Sequence, residues 1–120
     1  MSAEVKKEIQ LEIAHAGGLA VTYARMGRKE DARRVLNQIL EKERTTYVKA
    51  NSIASIHAEL GQNDEAFRWL ERAYTEHDAD LLGIATDVSL RALRSDPRFG
   101  DLLGRIHLDP ATASKDEDKP

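Results

Sequence analysis

The chain has 120 residues, which suits one domain, and its 41% hydrophobic and 32% charged residues are the balance of an ordinary soluble protein. A net charge of −3 argues against nucleic acid as a partner, and the absence of cysteine excludes disulfides and thiolate chemistry. No apolar run reaches the roughly 20 residues that span a bilayer, and the first ten residues contain no signal-peptide core, so we expect a cytoplasmic protein with no membrane association.

The first predicted helix covers Ala3 to Met26. Gly17 and Gly18 interrupt it at a cost of about 1 kcal/mol each relative to alanine, which indicates a kink or, preferably, the close approach of a neighbouring helix. Gly27 ends the helix, because glycine adopts the left-handed conformation without a Cβ penalty. One face is apolar at spacings of three and four residues: Val5, Ile9, Ile13, Ala16, Ala20 and Tyr23.

A second helix is predicted over Lys29 to Glu43. Glu30 and Arg34 stand four residues apart on it, and Asp64 and Arg68 repeat that arrangement further along the chain. Opposite charges at this spacing favour ion pairs, each contributing about 0.3 kcal/mol.

Two more helices are predicted in the middle of the chain. Thr45 or Thr46 is expected to cap a helix over Tyr47 to Leu60, since a threonine oxygen accepts from free backbone N–H groups. Asn63 is expected to cap the next helix, over Asp64 to His77.

The pattern loosens after residue 78. Short apolar runs predict small helices near 80–85 and 88–93. Asp96 followed by Pro97 is a typical helix start, and predicts a helix that continues to about Ile106. Residues 109–120 have no apolar periodicity, so we expect a disordered tail.

The segment Ala50 to Tyr74 repeats the segment Ala16 to Leu40 at a fixed offset, which we call the repeat offset. A self-match at a fixed period of this size is typical of stacked-repeat proteins. In every matching pair the residue numbers differ by 34, for example 66 minus 32 and 70 minus 36. The pairs are Leu19 with Ile53, Ala20 with Ala54, Gly27 with Gly61, Ala32 with Ala66 and Leu36 with Leu70.

These two units resemble the tetratricopeptide repeat, a helix–turn–helix unit of about 34 residues with small and large residues at set positions. The resemblance covers about residues 13–78. Ala16 and Ala50 stand where the family has tryptophan, and His57 replaces the tyrosine. The segments WLERAY and LRSDPRFGDLLGRI further resemble the C-terminal repeats of larger bacterial proteins, which implies a terminal fragment or a stand-alone relative of one.

The resemblance implies an all-α fold, a right-handed superhelical stack of antiparallel helix pairs. It divides the chain into a helical extension over 1–12, units over 13–46 and 47–80, and a degenerate third unit with a capping helix over 81–108. The unit containing Ala50 to Tyr74 would be the middle layer. Trp69 and Tyr74 should therefore be among the better buried aromatic side chains.

Binding in this family uses the concave face formed by the first helix of each unit. The residues expected to remain open to a ligand there are Val21, Arg25, Val48, Asn51, Ser55 and Glu59, with Ala14, Gly17, Ala24 and Ala58 on the same face. Some members grip a C-terminal carboxylate with lysine, asparagine and arginine. The corresponding residues do not fit that mode: Gly17, Val21, Ser52, Leu82 and Thr86.

No constellation for catalysis stands out. The four histidines lack a second histidine or a cysteine at metal-ligand spacing, and we interpret His57 as a packed residue in an aromatic position. No HExxH, GxSxG or phosphate-binding loop is present. The basic cluster is interpreted as a solvated helix surface: Arg25, Arg28, Lys29, Arg33 and Arg34. We therefore expect no enzyme activity, no metal and no cofactor.

Two hypotheses follow. The first is a protein–protein interaction module that binds a short helix or an extended, weakly charged peptide of another protein in its groove. The alternative is a homo-oligomerisation module that buries its N-terminal or end-layer apolar face in a homodimer.

Overall fold

The computed structural model describes residues 2–108, and within that range it is built of helices alone. The predicted all-α fold is therefore confirmed. The predicted disorder of 109–120 concerns residues outside the described range. In chain order the helices are α1 (Ala3–Arg25), α2 (Lys29–Glu43), α3 (Ala50–Glu59), α4 (Asn63–Thr75), the 3₁₀ helices η1 (Ala79–Thr86) and η2 (Val88–Leu93), and α5 (Pro97–Leu108).

The first and third helices end two residues before a glycine, as the sequence predicts. Gly27 has φ of 82° and Gly61 has φ of 78°, both in the left-handed region. The N–H of Arg28, just after Gly27, donates to the carbonyl of Tyr23 at 2.8 Å, and Gln62 repeats this bond to His57 at 2.9 Å. Each bond satisfies a carbonyl in the last turn of a helix, so both repeats stop their first helix by the same device.

The predicted start of α3 and the predicted caps of α3 and α4 are wrong. The helix α3 begins at Ala50 rather than Tyr47, and the hydroxyl of Thr45 donates backward to the carbonyl of Lys42 at 3.5 Å instead of capping. Asn63 is the first residue of α4 and not its cap, and neither helix has a side-chain hydrogen bond at its N-terminal cap. Packing against neighbouring helices, and not a local capping signal, sets where these helices begin.

The C-terminal elements lie where the sequence predicts them, but the two short helices are of the tighter 3₁₀ type. Asp87 caps η2 by accepting from the N–H of Ser89 at 2.9 Å. Asp96 does the same for α5, since its carboxylate accepts from the N–H of Arg98 at 2.9 Å.

The predicted pairing four residues apart on α2 and α4 is wrong. Glu30 pairs with Arg33, and Glu65 with Arg68, both at a spacing of three. Asp64 reaches Arg98 of α5 at 3.0 Å. A spacing of three also places side chains side by side on a helix surface, so the alternative partners were available locally.

Two hydrophobic clusters form the core, and α3 contributes to both. Ile53, Ile56 and Leu60 belong to the cluster shared with α1 and α2. Ala50, Ala54 and Ala58 belong to the cluster shared with α4, η1, η2 and α5. Every residue from 53 to 58 is buried, which identifies α3 as the central helix of the stack.

The aromatic residues are buried in a different order from the prediction. Phe67 and Phe99 are the buried ones, whereas Trp69 and Tyr74 are only partly buried. The ring of Trp69 contacts both clusters and carries the guanidinium of Arg72 at 4.9 Å. Trp69 therefore bridges the two halves of the core at the surface of the stack.

Candidate functional site

A groove of about 720 Å³ lies on one side of the stack. Its walls come from α1, α3 and the start of η2. It is lined by Gln10, Ile13, Ala14, Gly17, Gly18, Val21, Thr22, Arg25, Lys49, Asn51, Ser52, Ser55, Asp87 and Ser89. Polar and apolar side chains are mixed along its length.

The α1 wall is low because its side chains are small or absent. Ala14, Gly17, Gly18 and Val21 lie along it at spacings of three and four. A Cβ atom added at Gly17 or Gly18 would meet nothing within 4 Å. The predicted close approach of a neighbouring helix at these glycines is therefore wrong, and the helix remains continuous across them. The glycines lower the wall of the groove and leave room beside the α1 backbone.

The α3 wall offers hydrogen-bonding groups. Asn51, Ser52 and Ser55 face the groove, while Ile53, Ala54 and Ile56 pack inward. The hydroxyl of Ser55 donates to the carbonyl of Asn51 at 3.2 Å. The Oδ1 atom of Asn51 has no hydrogen-bond partner in the described structure.

An ionic network closes one end of the groove. The Glu59 carboxylate accepts from Arg25 Nε and pairs with Arg91 at 3.3 Å, and Arg25 also donates to the hydroxyl of Ser89 at 3.1 Å. The Glu59 side chain is only 6% exposed, whereas both arginines are about half exposed. Because these residues lie on α1, α3 and η2, the network joins all three walls.

Four of the six predicted site residues line the groove: Val21, Arg25, Asn51 and Ser55. Ser55, however, is buried at 9% exposure, so the prediction that it stays open to a ligand is wrong. The prediction that Val48 stays open to a ligand is wrong, since the helix starts after it and its side chain packs in the α1–α2 cluster at 2% exposure. The same prediction is wrong for Glu59, which the two arginines cover. Ala24 and Ala58, expected on the same face, are also buried.

The contribution of η2 to the groove was not predicted. Ser89 and Asp87 belong to the loosely patterned segment, in which no clean repeat is visible. The sequence nevertheless contains a signal for the position of Ser89. Val21, Ser55 and Ser89 are spaced by the repeat offset of 34, since 55 minus 21 and 89 minus 55 are both 34. Extending the repeat offset once more leads directly to the third wall.

The remaining polar clusters have internal partners. His57 is buried, and its Nδ1 lies 2.7 Å from Oε1 of Gln62, which agrees with the predicted packing role. In the basic cluster, Arg28 and Arg34 both pair with Asp31, at 2.7 and 3.1 Å. Across residues 2–108 no group of three or more ligand-type side chains could hold a metal ion, and no helix is long and apolar enough to cross a membrane.

Comparison with known proteins gives one match. The sequence model of the tetratricopeptide repeat family matches residues 49–77, a range that takes in α3 and α4. The match confirms the resemblance noted from the second unit. No curated protein and no solved structure matches the chain significantly.

Proposed function

From the match of residues 49–77 to the tetratricopeptide repeat family, we propose that the protein is an interaction module that binds a segment of another protein in its concave groove. Repeats of this family serve in general as non-catalytic scaffolds for protein–protein interaction. The observation that carries the proposal is the groove itself, open along α1 and walled by α1, α3 and the start of η2.

The composition of the groove favours a short helix or an extended peptide with few charges. Ala14, Gly17 and Val21 present an apolar strip on one side, and Ser52 and Ser55 present hydroxyls on the other. Arg25 and Arg91 share the carboxylate of Glu59, and Asp87 also lines the groove, so two positive and two negative groups balance at the closed end. An amphipathic segment with an apolar edge and hydrogen-bonding groups would match both walls.

Substitutions in the groove test this proposal. Ligands would be selected from a random peptide library displayed on phage, and their affinities measured by fluorescence anisotropy with synthetic peptides. Gly17→Leu places a side chain in open space within the groove, so the fold should survive while peptide affinity falls at least tenfold. Val21→Glu and Asn51→Arg should weaken binding similarly, because each puts a charge on a groove wall.

The matched control is Gly100→Leu. Gly100 is also a helical glycine with nothing within 4 Å of an added Cβ, but it lies on α5, away from the groove. This variant should bind the selected peptides like the wild type, and circular dichroism should be the same for the wild type and all four variants. If Gly17→Leu, Val21→Glu and Asn51→Arg all retain full affinity, the groove is not the binding surface.

A further inference from the structure

The side of α1 that faces away from the stack carries an apolar stripe. Leu11, Leu19 and Met26 are 52%, 45% and 63% exposed. At 100° per residue they share an arc of about 80° with four polar residues. We call this arc the outward face, and it consists of Glu4, Glu8, Leu11, His15, Leu19, Thr22 and Met26, all exposed, with Thr22 at the edge that also lines the groove.

The two ends of the stack differ in character. Within residues 2–108, α1 and its C-cap residue hold four of the seven exposed large apolar side chains: Val5, Leu11, Leu19 and Met26. Over residues 97–107, where the side chains of α5 are described, none is an exposed large apolar one, and the exposed residues include Arg98 and Asp101. Terminal layers of a repeat stack need a polar outer surface to remain in water. The described part of α5 meets that requirement and α1 does not, while Leu82 on η1 and Val88 on η2 are also exposed.

We propose that a second copy of this chain covers the outward face, with the two α1 helices packed antiparallel about a two-fold axis at His15. Leu11 and Leu19 lie four residues before and after His15, so in this arrangement Leu11 of one copy meets Leu19 of the other. A symmetric interface requires a surface that is complementary to itself, and this spacing provides it.

Charge complementarity fixes the antiparallel direction. Glu4 and Glu8 make the N-terminal half of the outward face acidic. Arg28 lies at the other end of α1, stacked on the ring of Tyr23 at 4.6 Å with half of its side chain exposed. An antiparallel pair about His15 places Glu4 of one copy opposite Met26 of its partner, next to the basic end of α1 at which Arg28 pairs with Asp31. A parallel pair would place Glu4 and Glu8 against the same residues of the other copy.

The differing ends also argue against head-to-tail stacking. An open filament needs the apolar N-terminal face to fit the C-terminal layer. The exposed charges of α5 pair within the chain, and covering them with leucine and methionine would remove them from water with no gain of new partners. A like-with-like pair buries apolar surface against apolar surface, so association should stop at the dimer.

Sedimentation equilibrium of the full chain tests the pairing. A contact built on one helix from each subunit falls in the class of small, weak interfaces, so the transition from 13.4 kDa monomer to dimer is expected on the order of 0.1 mM. Leu11→Glu combined with Leu19→Glu should shift it at least tenfold to higher concentration. Leu82→Glu, a control at an equally exposed leucine on η1, should leave it unchanged.

Engineered cysteines test the direction, because the chain contains none of its own. His15→Cys should form a disulfide-linked dimer on mild oxidation. Met26→Cys should not link to itself, since antiparallel packing places the two sites about 33 Å apart at 1.5 Å per residue. Mixing Glu4→Cys with Met26→Cys should yield the mixed dimer.

Three results would overturn the proposal. The first is a strict monomer up to 1 mM. The second is a dimer weakened by Leu82→Glu and not by the Leu11 and Leu19 variant. The third is efficient self-linkage of Met26→Cys, which would mean parallel helices. Each result concerns the outward face alone, so peptide binding in the groove stands or falls separately.

Discussion

At the scale of single residues, Glu59 shows how a charge can be held beside an open groove. Its carboxylate is almost completely buried, while Arg25 and Arg91 each keep about half of their side chains in water. Water can solvate an arginine that loses its partner here, but it cannot reach the carboxylate. The energetic consequences of removing the acid and of removing the bases should therefore differ.

We predict that replacing both arginines costs more stability than replacing the acid. Arg25→Met with Arg91→Met leaves a buried charge without a partner, which should lower the free energy of unfolding by roughly 3 kcal/mol. Glu59→Gln leaves only half-exposed arginines and a neutral amide, and should cost about 1 kcal/mol. Urea denaturation measures both values, and the reverse order would contradict this account of the network.

At the scale of elements, the docking of α5 on α4 combines charge and ring contacts. Arg105 donates to both carboxylate oxygens of Glu71, one at 2.9 Å, and lies 5.2 Å from the ring centre of Tyr74. The hydrogen bonds from Arg105 hold the pKa of Glu71 below its ordinary value. A carboxylate with a lowered pKa stabilises the fold above its ordinary pKa, and that contribution disappears as the pH falls through the lowered value.

We predict that Glu71→Gln flattens the acid side of the stability profile. As the pH falls below 5, the wild type should progressively lose the contribution of this pair, which is at most about 1 kcal/mol because about half of the Glu71 side chain and about a third of the Arg105 side chain are in water. The variant starts without that contribution and should lose less over the same range. Thermal unfolding followed across these pH values measures the difference.

The partner residue gives an independent check of the same pair. Arg105→Met should flatten the profile by the same amount, and the double variant should show no additional change. Independent, additive effects in the double variant would mean that the two residues are not coupled.

Helix ends also show which local signals could be read from the sequence. The stops at Gly27 and Gly61 were predictable, because a left-handed residue is required there and glycine supplies it locally. The starts at Ala50 and Asn63 were not, because the residues before them, Lys49 and Gln62, make no side-chain capping hydrogen bond. Those starts depend on contacts between helices, which a linear pattern does not contain.

At the scale of the whole molecule, α3 makes the two clusters into one core. One side of this helix supplies Ile53 and Ile56 to the first cluster, and the other side supplies Ala54 and Ala58 to the second. Without α3, each of the two clusters would lose part of its buried side chains. Repeat stacks with strong coupling between neighbouring layers unfold as a unit.

We predict a single cooperative unfolding transition. Trp69 is the only tryptophan and contacts both clusters, so its fluorescence reports the junction of the two halves. Far-UV circular dichroism reports all helices together. The urea midpoints from the two signals should coincide. Separate midpoints would show that one half unfolds while the other persists.

The groove was partly predictable for the same reason that the stack was. The repeat offset places Val21 and Ser55 at equivalent positions, and both line the groove. Val48 was misplaced because its burial depends on the connection between α2 and α3, and that segment is not helical. Periodicity locates residues within helices but says nothing about residues that precede them.

The unbroken length of α1 has a geometric consequence for valency. One rod of 23 residues carries the groove along one side and the outward face along another. If two α1 helices pack antiparallel, the two grooves run in opposite directions along the helix axes. A partner with two binding segments would gain avidity from both grooves only if those segments ran in opposite directions, as an inverted repeat or as two subunits of a symmetric dimer.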